Sequence, residues 1–204
     1  MLLSARRLQG ERVRAMDGDA GRIDDVYFDD ASWSVRYMVV RDDRRIPEKE
    51  HLVPSRAVAP PAAGRRLAFT LRRDEIEHCP GIESDPPVSY QFDVGRVAYY
   101  GDETFLTWGV RASSNPHLRA SSIVIGYNVH AKDGGFGHVT DLVLDSERWA
   151  VKALVVTAGW LPGKSWLVDT AAVEGIDWAE RCIHLRMTRA QIRNAQSSLV
   201  GALE

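Results

Sequence analysis

The chain has 204 residues, 45% of them hydrophobic and 26% charged, with a formal net charge of −2 and a pI of about 6.3. That balance is ordinarily globular and excludes a globally basic nucleic-acid binder, though not a local basic patch. The two cysteines, Cys79 and Cys182, suggest neither a disulfide framework nor a CxxC metal site, so a reducing compartment is the default.

The opening stretch, MLLSARRLQGERVRA, meets arginine too early for a signal-peptide core. The most apolar run, residues 150–161, is broken by Lys152 and falls far short of the ~20 residues that span a bilayer. A soluble, cytoplasmic protein is the expectation. Residues 11–16 read as a short strand, followed by a turn at Asp17-Gly18-Asp19-Ala20-Gly21. There Gly18 and Gly21 supply backbone freedom and Asp17 caps through its carboxylate. Ile23, Val26 and Phe28 continue as a strand whose inward phase slips at Asp24-Asp25, which predicts a β-bulge. Trp33, Val35, Tyr37 and Val39 alternate as in a half-buried strand. A charged hairpin tip at 41–50 comes next, then a short strand at 51–54, an alternating strand through Leu67, Phe69 and Leu71, and a short helix at 74–78.

Residues 81–117 break the composition. Prolines mark them as a connector, but Phe92, Val97, Tyr99, Tyr100, Phe105 and Trp108 are too aromatic for a passive linker, and part of the segment is expected to pack against the rest. The second half then repeats the first. At an offset of 116 residues, Asp133, Gly134, Gly137, Asp141, Asp145, Trp149 and Val151 stand where Asp17, Gly18, Gly21, Asp25, Asp29, Trp33 and Val35 stand. The phase slip recurs between Val139 and Leu142, and Thr188-Arg189-Ala190-Gln191 opens a terminal helix with a capping box that Arg72 denies the first copy. The organisation is therefore a first domain at 1–80, the connector at 81–117 and a second domain at 118–204. Domains this small bury only about 60–65% of their unfolded surface and gain by docking on one another.

The run AxDGxxGxVxDxxxDxxxWxVxxLVV from Ala131 to Val156, the hairpin Trp160-Leu161-Pro162-Gly163-Lys164, Ile176-Asp177-Trp178 and the terminal helix carry a resemblance to the PRC-barrel family. That family includes the cytoplasmic domain of the photosynthetic reaction-centre H subunit and the C-terminal domain of the ribosome maturation factor RimM. Asn115-Pro116-His117-Leu118-Arg119 and Tyr99-Tyr100-Gly101 look familial too. The resemblance implies a mainly β fold: two small PRC-type β-barrels in tandem, each followed by a short α-helix. It also implies a habit of binding macromolecules and supplies no catalytic residues.

The candidate sites come from these patterns. AGWLPGKS at 158–165 fits a relaxed phosphate-loop pattern, but the repeat makes residues 166–169 a strand where a phosphate loop requires a helix. Asp17, Asp24, Asp25, Asp29 and Asp30 are read as turn and surface groups. His130 and His138 flank the second glycine turn opposite Arg14 and Arg22 of the first copy, so symmetry offers no metal pair, and a third donor is not identifiable. The first unit's arginines are nearly balanced by acids, a weak RNA signal. The preferred interaction surface is the hairpin tip of Trp160, Leu161, Pro162, Lys164 and Trp166, where exposed aromatics serve as interface anchors. The glycine turns, with Asp17, Gly18, Gly21 and Asp25 and their partners Asp133, Gly134, Gly137 and Asp141, are read as structural. The functional expectation is a scaffold that takes no cofactor or metal and docks on a protein complex, a membrane-bound one as the H subunit implies. Homodimerisation through the aromatics is a further expectation, and the alternative is a ribosome- or RNA-associated assembly factor as RimM implies.

Overall fold

A computed structural model describes residues 1–43, 47–59, 67–90, 115–158 and 164–194. The described chain is mainly β, arranged in two sheets. One sheet runs β2 (Arg12–Ala15), β3 (Gly18–Asp29), β4 (Val35–Asp42) and β5 (Lys49–Pro54). The other runs in the order β10 (Ser165–Asp169), β9 (Ala150–Thr157), β8 (Gly134–Asp145), β7 (Asn128–Ala131), β12 (Cys182–Leu185) and β11 (Val173–Asp177). The end strands of each order are not hydrogen-bonded to each other, so neither sheet closes through its described strands. Among the described residues no helix is long and apolar enough to cross a membrane.

The long strands β3 and β8 do not finish with their own copies. The N-terminal half of β3 pairs with β2, but its far end, from Tyr27 to Asp29, pairs with β6 (Leu118–Ala120), the first strand of the second copy. Reciprocally, β1 (Leu2–Ser4) pairs with Val143 to Asp145 of β8. Each copy thus lends its first strand to the other. Two short helices carry the exchange further: α1 (Ala5–Leu8) packs on β8 and α3 (Ser121–Val124) on β3.

A second crossing marks the pseudo-twofold axis. Trp33 and Trp149 hold left-handed backbone angles, φ 59° and 47°, a conformation that bulky residues rarely adopt. The expectation that Trp33 belongs to its alternating strand needs correction: Trp33 and its counterpart Trp149 each sit in the turn just before the strand. The strain is compensated across the copies. Val35 N–H donates to the Trp149 carbonyl at 2.7 Å and Val151 N–H to the Trp33 carbonyl at 2.8 Å. Ser34 and Ala150, equivalent residues, bridge between them. Trp149 is buried, and Trp33 stacks on Phe28 at 5.7 Å.

The bulge expected at Asp24-Asp25 is present as a register shift between Ile23 and Asp25, and its twin lies between Val139 and Asp141. The glycine turn is tighter than expected. Ala15 pairs with Gly18, leaving Met16-Asp17 as the turn, and Gly21 lies inside β3. A Cβ on Gly21 would sit 2.2 Å from the Arg41 carbonyl oxygen, and one on Gly137 would sit 2.1 Å from that of Thr157. These glycines answer a close approach of neighbouring strands. Val35, Met38 and Val40 point from β4 into a core cluster that runs through both copies. Val39 joins Tyr27, Leu52, Leu118 and Ala120 in a second cluster on the other face, with Tyr37 and Ile82 against it. Strand β4 is therefore covered on both sides, where alternation predicted a half-buried strand. The cover comes from β6 and from the connector's Ile82, as the packing expectation for that segment required. Phe92, Val97, Tyr99, Tyr100, Phe105 and Trp108 lie outside the described residues.

The terminal helices α2 (Arg73–Glu77) and α4 (Arg189–Asn194) repeat a tertiary cap. Asp17 accepts from Arg73 N–H at 2.9 Å and Asp133 from Arg189 N–H at 2.7 Å. Each "turn" aspartate thus anchors a helix 56 residues away. Those bonds hold both carboxyls below the usual aspartate range, with a further contribution from the same arginines' charges. The capping box is complete at Thr188 and Gln191. In the first copy only half of it forms, Arg72 N–H donating to Glu75 Oε2 at 2.7 Å, because a guanidinium has no acceptor to return.

Candidate functional site

Asp25 was expected at the surface, yet it is only 6% exposed. Burial pushes its carboxyl up, and bonds from the second copy pull against that shift. It accepts from Ser121 Oγ at 2.6 Å, Ser122 N–H at 3.1 Å, Ser122 Oγ, and its neighbour Val26 N–H at 2.7 Å. Asp141 does the same for the other arm, accepting from Ser4 Oγ, Arg6 N–H at 3.0 Å and Leu142 N–H at 2.7 Å. The bulge is the cause: the extra residue turns each aspartate toward the incoming arm. The remaining aspartates are structural as expected. Asp24 pairs with Arg41, and Asp29 accepts from Ala31 and Ser32 N–H in its turn. Asp30 bonds His117 and Arg119, both from the second copy's lead-in.

Of the expected hairpin surface, Trp160, Leu161 and Pro162 lie outside the described residues, and Lys164 is exposed. Trp166 corrects the expectation. It is buried, edge-on to Phe136 at 5.1 Å, and the Arg193 guanidinium lies over the Phe136 ring at 5.9 Å. Trp166 faces the core because Leu167 takes the outward phase of β10. Ser165 starts that strand, so the phosphate-loop pattern lacks the helix it requires.

Two clefts lie in equivalent places on either side of the pseudo-twofold, each walled by both copies. One, about 690 Å³, is lined by Asp30, Trp33, His117, Arg119, Glu174 and Arg186. Arg119 is nearly buried; its Nε bonds Asp30 at 2.6 Å while Nη1 has no hydrogen-bond partner among the described residues. The other, about 640 Å³, is lined by Met1, Arg56, Val58, Glu147, Arg148 and Trp149. The same scaffold therefore presents a mixed-charge cleft on one side and a more basic one on the other.

A third grouping was not legible along the chain. Strand β12 runs parallel to β7 with His184 opposite His130, and Cys182 lies two residues back on the same face. The donor atoms of His130, Cys182 and His184 all lie within 4.8 Å of one another. The two rings meet edge to face at 5.7 Å. His138, the sequence neighbour considered with His130, is not a member of this set. The missing donors come from a parallel pairing of segments more than 50 residues apart, which periodicity cannot reveal. Burial raises the Cys182 thiol, as does the charge of Asp177, while the His130 backbone N–H opposes the shift.

Neither a scan against protein-family models nor a search of curated proteins returns a match for this chain.

Proposed function

We propose that the chain is a non-enzymatic binding module of the tandem PRC-barrel type, two partly open barrels that together dock on a macromolecular complex, a membrane-bound one in the leading reading. The observation that carries this is the exchange of first strands. Because β1 belongs to the second sheet and β6 to the first, the copies form one platform, and a partner lying across the axis meets both copies at once. In one cleft Asp30, His117, Glu174 and Arg186 together present both signs of charge to polar groups of the partner. The Trp160-Leu161-Pro162 tip is the proposed apolar anchor, and self-association through that tip would appear as a dimer in light scattering.

A second reading, ribosome or RNA association, is favoured by Arg56 and Arg148 converging in the other cleft. Gradient fractionation of a native lysate, tracking the chain by antibody, separates the two. Comigration with membranes that detergent abolishes supports the leading reading. Comigration with ribosomal subunits that high salt abolishes replaces it with the second. A position at the top of the gradient overturns both.

A further inference from the structure

We infer that His130, Cys182 and His184 form a binding site for a divalent metal ion of the zinc class, held on the outer face of the β7–β12 pair. This inference is independent of the docking reading. Its basis is register. In the parallel pairing His184 stands directly across from His130, and the Cys-x-His spacing of β12 puts both its donors on one face. Thiolate and two imidazoles are the ligand set that zinc prefers over the oxygen-seeking Mg²⁺ and Ca²⁺. The three donor atoms already fall within 4.8 Å of one another. A tetrahedral zinc, with bonds of about 2.0–2.1 Å to nitrogen and 2.3 Å to sulfur, needs them roughly 3.3–3.6 Å apart. Rotation of the two exposed histidine side chains supplies the remaining ångström, while buried Cys182 stays fixed.

The fold itself does not demand these residues. Arg14, Arg66 and Ala68 stand at the equivalent positions of the first copy, where the same parallel contact forms between Arg14 and Ala68. Donors are thus collected on one copy only. Three protein ligands leave the fourth tetrahedral position facing solvent, open to water or to a donor from a bound partner. On binding, the Cys182 S–H bond breaks, its proton passes to solvent, and the sulfur lone pair forms the metal bond.

The test is titration of the untagged, chelator-stripped full chain with Co²⁺. The expected result is one equivalent bound, with a thiolate-to-cobalt charge-transfer band and the intense visible absorption of a tetrahedral ion, both displaced by Zn²⁺. Cys182→Ser should abolish the charge-transfer band. His130→Ala and His184→Ala, both at exposed positions that folding tolerates, should each weaken binding by about tenfold or more, and His78→Ala should leave it unchanged. Absence of the band at excess Co²⁺ would overturn the site, as would a band that survives Cys182→Ser or ignores both histidine variants.

Discussion

Replacing Asp25 by alanine removes an acceptor that four donors share, Val26 N–H, Ser122 N–H and the hydroxyls of Ser121 and Ser122. The hydroxyls can rotate toward other acceptors, but the two amides cannot, and the site is buried. An orphaned buried donor costs about 1–3 kcal/mol, so Asp25→Ala should lose roughly 3–5 kcal/mol once the lost arm contacts are included. For a chain of this size that is a fall in Tm of roughly 6–20 °C. Asp25→Asn should behave differently. Its amide oxygen keeps the acceptor for the backbone N–H groups, its NH2 can donate to Ser122 Oγ, and a desolvated charge disappears, so the expected change is within about 1 kcal/mol. The pH dependence has a definite sign. Burial raises the folded carboxyl above its ordinary value of 3.8, so its contribution to stability is full below that value and is lost as pH rises through the folded pKa. Asp25→Asn removes that loss, and its stability relative to the native chain should improve as pH rises from about 4 toward neutrality. Thermal and urea unfolding across that range measure both effects. A loss below about 1 kcal/mol for alanine, or equal losses for alanine and asparagine, would refute the reasoning.

Gly137→Ala should destabilise by about 2 kcal/mol or more, because its Cβ would lie 2.1 Å from the Thr157 oxygen. Gly126→Ala meets nothing within 4 Å and should cost only the about 1–2 kcal/mol of its left-handed φ of 107°; the reverse order in urea melts would sink the close-approach explanation. Arg119→Ala leaves the nearly buried Asp30 with His117 as its one remaining ion-pair partner among the described residues, and should cost about 3–5 kcal/mol by differential scanning calorimetry, as one-sided loss of a buried pair does. Asp17 and Asp133 have lowered folded pKa values, so their contribution is present above 3.8 and disappears as pH falls through those values. The double Asp17→Asn, Asp133→Asn variant should therefore show a flatter acid limb of stability, and an unchanged limb would contradict the helix-anchoring role.

The long strands, the repeat and the Asp24-Asp25 bulge were legible because they arise from local periodicity and from comparing the chain with itself, whereas the strand expected through Leu67, Phe69 and Leu71 is present only as isolated bridges at Ala68 and Phe69. The destinations of side chains were not legible. Asp17 reads as a turn residue, and its partner lies 56 residues on; Asp25 reads as a surface acid, and its donors lie 96 and 97 residues on. The exchange of first strands has no local signal at all, since Leu2 to Ser4 would satisfy the same pattern on either sheet. Trp166 was misread because a hairpin position suggests exposure, while the phase of β10 turns the ring inward. The metal donors escaped for the same reason as the exchange. Parallel pairing unites residues that no sequence window contains.

The measurement closest to the account's centre is hydrogen exchange with mass-spectrometric readout on the Asp25→Ala and Asp141→Ala variants. If each copy holds the other's first strand, Asp141→Ala will speed exchange at residues 1–8 and Asp25→Ala at residues 118–124, because those are the arms the aspartates grip. The opposite pattern, Asp25→Ala loosening residues 1–8 and Asp141→Ala residues 118–124, would mean that each arm stays with its own copy, and would contradict the exchange.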